Sequence, residues 1–261
     1  NTTGISLTAM GYKAGNANTT GNNNTAVGSD SFKLNTTGAS NTALGASALL
    51  NNTTADGNTA VGFEAAYSNT TGANNVALGR AALYDNSTGI QNTALGRSAL
   101  ENNTTASNNT AVGYQAAYTN TTGSNNIAVG KQALYYNTTG ASNAAVGHLA
   151  LHQNTTGDDN TAVGLQASYT QSGSAHSNTA VGRKSAFSTT TGNSNISVGF
   201  NSLFYTTTGS DNAAVGNNAL QTNTTGSANV AVGRQSLFSN TTASNNTAVG
   251  YQALYSSTGG S

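Results

Sequence analysis

The chain has 261 residues, of which only 6% are charged, and its eight basic and eight acidic side chains give a formal net charge of zero. This balance excludes an electrostatic surface for nucleic acid or for an anionic membrane. The absence of cysteine excludes disulfide frameworks and thiolate metal sites. No apolar run approaches the roughly 18 residues of a membrane-spanning helix, so we expect no membrane span in this segment.

One short motif recurs along the whole chain. It ends in a glycine that follows Ala-Val, Ala-Leu or a close variant, and we call these residues the motif glycines. They recur every 17 residues, with one interval of 18. A fixed period of this kind is typical of repeat architectures, in which each unit buries its apolar face against its neighbours. The sequence therefore predicts a single array of 15 coils over residues 1–261. The motif glycines are Gly11, Gly28, Gly45, Gly62, Gly79, Gly96, Gly113, Gly130, Gly147, Gly164, Gly182, Gly199, Gly216, Gly233 and Gly250.

Each repeat opens with an alternating segment, for which N-T-A-V-G at 109–113 is a good example. Thr and Val are expected on one face and Ala on the other, as in a short β-strand. The opening Asn is present at 14 of the 15 motifs and is replaced only at Leu7.

The second half of each repeat predicts another strand and a turn. After the motif glycine come two mostly polar residues, a small residue, a Leu or Ala, and often an aromatic residue, which we interpret as a second short strand. The N-T-T-G stretch that follows is rich in residues that tolerate turns. Segments such as 96–100 look mildly helical, but a coil with two glycines and several Asn and Thr is too short for a helical hairpin.

The sequence therefore predicts an all-β fold, a parallel β-solenoid or β-roll with 17-residue coils and two short strands per coil. Each coil adds a rung of about 4.8 Å, so the array predicts a rod on the order of 70 Å long. One buried Val and one buried Leu per coil do not offset the backbone entropy of its residues. We therefore expect the coils to depend on stacking and on further burial between chains.

The expected contact surface between chains is the aromatic column, five residues after the motif glycine. An aligned aromatic stripe is more often core or subunit contact than a ligand site. The aromatic column contains Tyr67, Tyr84, Tyr118, Tyr135, Tyr169, Phe187, Phe204, Phe238 and Tyr255.

The motif N-T-A-V-G-x-x-A, seen at 109–116 and 246–253, resembles the head repeats of trimeric autotransporter adhesins. It is also similar to N-T-A-V-G-Y-Q-A-L repeats of tail-fibre-like bacterial and phage proteins. The resemblance implies a left-handed β-roll, a homotrimer, and an extracellular, cell-surface or virion location. The adhesin heads have a shorter repeat, and this chain adds the N-T-T-G turn. Because the chain begins and ends within a repeat, we expect a segment of a longer fibrous protein.

Few residues depart from the repeat in a way that suggests chemistry. His148 and His152 are four residues apart, a spacing that would place two metal ligands on one face of a helix, but no third ligand is near them. Asp158 and Asp159 could weakly attract calcium, although solvated turn residues are the favoured interpretation. With no converging set of unlike groups, we expect no enzyme, no metal and no cofactor.

Two further features are read as structural. The first residue after the motif glycine forms a sparse basic column, interpreted as a solvated face. His176 lies in the single 18-residue coil, where the extra residue is expected to bulge a loop without shifting the coils beyond it. The basic column contains Arg80, Arg97, Lys131, Arg183 and Arg234.

The N-T-T-G stretch also contains acceptor motifs for N-glycosylation, although Asn, Thr and Gly are equally what a tight turn prefers. Acceptors one rung apart would crowd their sugars, so partial occupancy or small sugars are expected, and threonine-linked sugars remain open. The candidate acceptors, which we call the turn asparagines, are Asn18, Asn35, Asn52, Asn69, Asn86, Asn103, Asn120, Asn137, Asn154, Asn223 and Asn240.

Periodicity and neutrality predict a non-catalytic structural rod of an extracellular fibre, adhesin or tail-fibre-like appendage, which self-associates, with a trimer favoured, or assembles into a filament. A host surface or a glycan is its expected partner. The alternatives are a glycosylated filament coat or a ligand-binding face, which binds glycans through the aromatic column or ice through threonines such as Thr110, Thr161 and Thr179. That threonine column is interrupted at Val76, Ile127, Ala144, Ile196, Ala213 and Val230.

Overall fold

The protein is built from short strands, one in each repeat. A computed structural model describes residues 4–257, and within them there are fifteen strands of three residues and no helix. The chain divides into two compact units, residues 1–126 and residues 127–261. The prediction of one array over residues 1–261 stays a prediction.

The strands have the same place in every repeat, directly before the motif glycine. The first unit contains β1 (Thr8–Met10), β2 (Thr25–Val27), β3 (Thr42–Leu44), β4 (Thr59–Val61), β5 (Val76–Leu78), β6 (Thr93–Leu95) and β7 (Thr110–Val112). The second unit contains β8 (Ile127–Val129), β9 (Ala144–Val146), β10 (Thr161–Val163), β11 (Thr179–Val181), β12 (Ile196–Val198), β13 (Ala213–Val215), β14 (Val230–Val232) and β15 (Thr247–Val249).

Within each unit, successive strands pair in parallel and in register. Ala43 pairs with Ala60 in the first unit, and Ala145 pairs with Ala162 in the second. Because each residue lies beside its equivalent in the next coil, every position of the repeat forms a column along the coils. The predicted parallel β-solenoid with 17-residue coils is therefore confirmed. The predicted left-handed winding stays a prediction.

The strand alternates as predicted, but the face directed to the core is that of Ala, and the face of Thr and Val is directed outward. The central Ala, for example Ala162, is fully buried, whereas Thr and Val point outward, and Val163 is 38% exposed. The expectation that one Val per coil is buried is wrong. The interior beside each strand accommodates only the small alanine side chain.

The predicted second strand is wrong, because the segment after the motif glycine is not extended. In the coil of Gly45, Ser47 and Leu49 have φ values of 58° and 49°. Ala48 and Leu49 are both buried, which a strand with alternating faces does not allow. This segment still bonds to its neighbours, since the Leu49 N–H donates to the Ala65 carbonyl at 3.0 Å. Each coil therefore has one strand and one non-extended segment that contains two left-handed residues, two positions apart.

Two ladders of buried asparagines fill the rest of the interior. The first consists of the turn asparagines, whose side chains donate along the column, as Asn69 Nδ2 does to Asn52 Oδ1 at 2.9 Å. The second consists of the asparagines that precede the strands. There the Asn58 backbone N–H donates to Asn41 Oδ1 at 2.9 Å, and Asn58 Nδ2 donates to the Gly72 carbonyl, also at 2.9 Å. Polar side chains thus take much of the place of a hydrophobic core.

The motif glycine is required by the close stacking of the coils. Gly62 has a φ of 135°, a conformation that residues with a side chain rarely adopt. A Cβ added to Gly62 would lie 2.6 Å from the carbonyl oxygen of Gly79 in the next coil. The strict recurrence of this glycine therefore has a steric cause.

Candidate functional site

The turn asparagines are interior residues. The side chains of all of them are 0% exposed. Nδ2, the atom to which a sugar would be attached, uses both of its hydrogens: Asn69 Nδ2 donates to Asn52 Oδ1 and to the Gly72 carbonyl, both at 2.9 Å. In the folded coil this nitrogen is therefore buried and bonded, and N-glycosylation of the turn asparagines stays a prediction. Threonine-linked sugars stay a prediction, since the second threonine of the turn, such as Thr71, is exposed.

The residues of the aromatic column are half-buried and stack on one another within each unit. Tyr67 and Tyr84 are parallel in the first unit, with ring centroids 5.0 Å apart. A ring that is stacked on both sides, as Tyr169 is, offers little to a glycan. Contact of this column with another chain stays a prediction. In the second unit the stacked pairs are Tyr135 with His152, His152 with Tyr169, Tyr169 with Phe187, Phe187 with Phe204, and Phe238 with Tyr255.

The two histidines four residues apart lie in different columns. His148 is exposed in the basic column, whereas His152 is buried in the aromatic column between Tyr135 and Tyr169. Burial lowers the pKa of His152, and His148 lowers it further, while a hydrogen bond between its Nδ1 and the Gln132 carbonyl at 3.1 Å opposes them. Among the described residues, no three His, Asp or Glu side chains are grouped so that they could hold a metal ion.

Asp158 has a structural role in its turn. Its carboxylate accepts a hydrogen bond from the Ala141 N–H at 2.7 Å, and its own N–H donates to His176 Nδ1 at 3.0 Å. Asp159 is exposed and left-handed, with a φ of 57°. Asp158 therefore holds neighbouring turns together, and both acids lie in the turn.

The 18-residue coil keeps the register of the strands, as predicted. Thr161 pairs with Thr179 across it, although the separation is one residue longer than elsewhere. In place of a turn asparagine this coil has Gln171, whose Nε2 donates to the carbonyl of Ala175, four residues on, at 3.0 Å. The longer side chain thus spans the longer turn.

The outward threonines share their face with apolar residues. Thr110, Thr161 and Thr179 lie at the first position of their strands, and in other coils this position is Val, Ile or Ala. Within residues 4–257, none of these three hydroxyls forms a hydrogen bond to another protein group. The face is uncharged, but the threonines form no continuous array, which weakens the ice-binding alternative.

Arginines of the basic column lie over aromatic rings of adjacent coils. The Arg183 guanidinium is 5.6 Å from the centre of the Phe200 ring, and the Arg234 guanidinium is 6.0 Å from that of Tyr251. Such cation–π contacts are worth about 0.5–1 kcal/mol at exposed sites. These arginines are thus part of a packed edge of the coils.

A cavity of about 290 Å³ in the first unit brings unlike charged groups together. Its lining includes two arginines, Arg80 and Arg97, two glutamates, Glu64 and Glu101, and the aromatic residue Tyr84. We call these five residues the charged notch. It is the principal departure from the repeat, and the two glutamates were missed by sequence analysis.

Small side chains create the space of the notch. Ala81 and Ser98 lie two residues after their motif glycines, where the flanking coils have the longer Glu64 and Gln115. Two adjacent coils with short side chains at this position therefore leave a gap between two coils with long ones.

The two arginines of the notch lean away from each other. Arg80 lies over Phe63 in the preceding coil and Arg97 over Tyr114 in the following coil, each with its guanidinium carbon 5.8 Å from the ring centre. Neither guanidinium forms an ion pair within the described part of the chain. Their remaining donors are therefore directed by packing on rings and are not neutralised by a carboxylate.

Tyr84 is partly buried and lies close to acidic groups. Burial raises the pKa of the Tyr84 hydroxyl, and Glu64, Tyr67, Asp85 and Glu101 raise it further. Burial and the Glu101 carboxylate also raise the pKa of Asp85. The Tyr118 hydroxyl donates to Glu101 Oε1 at 3.4 Å. The notch thus combines carboxylate acceptors and guanidinium donors in one lining.

A sequence signal for the notch exists in the distribution of charge. Glu64, Arg80, Asp85, Arg97 and Glu101 fall within residues 64–101, although the whole chain has only eight basic and eight acidic residues. Folding each residue onto its place in the 17-residue repeat puts these charges on adjacent coils.

The class of this protein is defined by its architecture, because comparison with known families and curated proteins found no match. No protein-family model matches the chain, and no curated protein matches it at a significant level. Residues 4–257 include no long apolar helix of the kind that crosses a bilayer. The fold defines the class: the chain is a parallel β-solenoid repeat protein.

Proposed function

We propose that the chain is a non-catalytic structural segment of an extracellular fibre, surface adhesin or phage tail-fibre-like appendage, where it serves attachment or spacing. The observation that carries this proposal is that buried asparagine side chains of one coil bond to their equivalents in the coil beside it. Asn35, Asn52 and Asn69 form one continuous series of side-chain hydrogen bonds. A further coil therefore extends the structure without requiring a new core.

Electron microscopy tests the structural role. The protein should appear as thin particles of uniform width, and variants with added coils should be longer at the same width. Compact globules, or particles that widen when coils are added, would contradict the proposal. Circular dichroism of the same samples, dominated by β-structure, controls for folding.

Self-association, with a trimer favoured, is part of the proposal. In the second unit every strand ends in an outward valine, and Val163 and Val215 are each 38% exposed. None of the residues in these strands is charged, so the face can pack against a copy of itself. This face supports association better than the aromatic column, most of whose rings already stack on one another.

Analytical ultracentrifugation tests the association. A particle of about three times the 26.0 kDa chain mass is expected. The substitutions Val163→Lys and Val215→Lys place charges on the face and should shift the protein to monomer. A monomer at all concentrations would exclude self-association.

A further inference from the structure

The charged notch combines three chemistries at one small opening. A guanidinium only donates hydrogen bonds and pairs best with an anionic acceptor such as a carboxylate. An ionised carboxylate only accepts them and therefore suits a ligand rich in hydroxyl or ammonium groups. An aromatic ring offers a face for apolar packing. A ligand that fits the notch must therefore have an anionic acceptor, hydrogen-bond donors and an apolar face.

The donors of the notch are available to a ligand. Arg80 and Arg97 rest on Phe63 and Tyr114, and these contacts hold the two side chains apart. Neither arginine is paired with a carboxylate of the described chain. An anionic ligand group that enters the notch can therefore accept hydrogen bonds from a guanidinium that has no ion-pair partner. Packing on the rings also reduces the entropy lost when the guanidiniums are fixed by a ligand.

The ring of Tyr84 has one face to offer. Its other face is covered by Tyr67 at 5.0 Å, as elsewhere in the aromatic column. The next position of that column is Glu101, which is not aromatic, so the stack ends there. Within the first unit, this break in the column places Tyr84 in the lining of the notch, together with Glu101 and the two arginines.

The volume of the notch limits the ligand to a single small unit. At about 290 Å³, it lies at the lower end of the range for small-molecule sites, which begins near 300 Å³. A free amino acid has the charges but, in general, no ring to pack on Tyr84. A neutral sugar has the ring and the hydroxyls but no group for the arginines.

We propose that the charged notch binds an acidic sugar residue, one sugar ring that carries a carboxylate. The ligand carboxylate accepts hydrogen bonds from Arg97, its hydroxyls donate to Glu64 and Glu101, and its C–H face packs on Tyr84. The site adds a ligand to the proposed structural role and does not depend on it.

Isothermal titration of the intact protein with glucuronate, and with glucose as the neutral analogue, tests this site. Glucuronate should bind more tightly than glucose, and added salt should weaken it. Arg97→Gln should weaken glucuronate binding roughly tenfold through the loss of charge-assisted hydrogen bonds. Arg183→Gln is the matched control, because Arg183 has the same column position and the same ring contact but lies in the second unit, away from the notch.

A second variant tests the space of the notch and leaves its charges unchanged. Ser98→Gln introduces a glutamine, which is the residue at the equivalent positions 115 and 132 of the next two coils. Gln115 and Gln132 have φ values of 53° and 54°, close to that of Ser98, so the coil should fold. The longer side chain should fill the notch and abolish binding. Absence of glucuronate binding, equal affinity for glucose, or wild-type affinity in both Arg97→Gln and Ser98→Gln would overturn the proposal and would leave the structural role untouched.

Discussion

At the scale of the residue, asparagine takes a role that a hydrophobic side chain has in most cores. The amide of a turn asparagine can both donate and accept, so one residue type bonds to the coils on either side and to its own turn. Buried amides of this kind are strongly dependent on their partners, because an unsatisfied polar group in the interior is costly. The effect of a substitution should therefore reach beyond the substituted residue.

Replacement of a turn asparagine should destabilise the first unit. Asn69→Ala removes two hydrogen bonds of Nδ2 and one of Oδ1, and it leaves Asn52 Oδ1 buried without a donor. We expect a loss of about 2–4 kcal/mol in the free energy of unfolding. Urea denaturation followed by circular dichroism measures it. Thr71→Ala, an exposed change in the same turn, serves as control and should cost less than about 0.5 kcal/mol; equal midpoints for the two variants would disprove the ladder's role.

The same ladder has a gap in the second unit that can be repaired. Thr189 replaces a turn asparagine there, and its buried hydroxyl and Gln171 Oε1 have no hydrogen-bond partner in the described chain. Thr189→Asn should supply a donor to Gln171 and stabilise the unit by about 1 kcal/mol. The melting temperature should rise, whereas Thr191→Asn in the exposed part of that turn should leave it unchanged. A lower melting temperature for Thr189→Asn would show that the gap is not a missing hydrogen bond.

At the scale of the element, the aromatic column makes the second unit sensitive to pH at one point. His152 is stacked between Tyr135 and Tyr169, with Tyr136 at its edge, and its pKa in the folded protein is lowered from 6.5, first by burial. Below pH 6.5 the unfolded chain binds a proton that the folded chain resists. Stability is therefore complete above this pH and is lost as the pH falls through the lower pKa of the folded state.

His152→Phe should remove this contribution, since Phe187 and Phe204 already stack in the same column at 5.0 Å. Thermal melts between pH 7.5 and 5 should show a falling midpoint for the native sequence and a flatter one for the variant. His148→Gln retains the buried ring and should keep most of the pH dependence. A native midpoint that does not change over this range would contradict the assignment.

The coil as an element was predictable from the sequence only in part. The period predicts the stacking, and the alternation around Ala162 predicts one strand correctly. The segment after the motif glycine looked like a second strand, because a small residue and a Leu or aromatic residue also suit strands. Ser47 and Leu49 are left-handed without being glycine, a conformation that composition does not signal and that the neighbouring coils impose. For the same reason the Asn-Thr-Thr motif pointed to a surface acceptor when its asparagine is interior.

The charged notch was missed because its residues were considered one column at a time. In the sequence Arg80 and Arg97 belong to the basic column and Tyr84 to the aromatic column, while Glu64 and Glu101 belong to neither set. Their proximity follows from the closeness of adjacent coils and from the small side chains of the intervening positions. Neither is visible until the repeat is folded into columns.

At the scale of the whole molecule, a repeat protein should tolerate the loss of a complete coil. Deletion of residues 46–62 joins Gly45 to Phe63 and keeps every later residue in its column. We expect a folded protein with a slightly lower melting temperature, because one set of neighbour contacts is lost. Circular dichroism and thermal melting measure this outcome.

Deletion of residues 46–63 is the matched control. It makes the coil one residue short and moves Tyr67 to the position where Leu49 and Leu83 are fully buried. The first unit should then lose its cooperative transition. If both deletions behave alike, the columns do not govern the stability of the molecule.

The turn around Gln171 shows that a coil can be one residue longer where a longer side chain spans the longer turn. The glutamine reaches one residue further than an asparagine, and a Cβ on Gly173 in the same turn would meet no atom within 4 Å. A turn built in this way is suited to insertions. We expect a peptide epitope or an affinity tag inserted at Gly173 to project from the surface while the strands on either side keep their pairing.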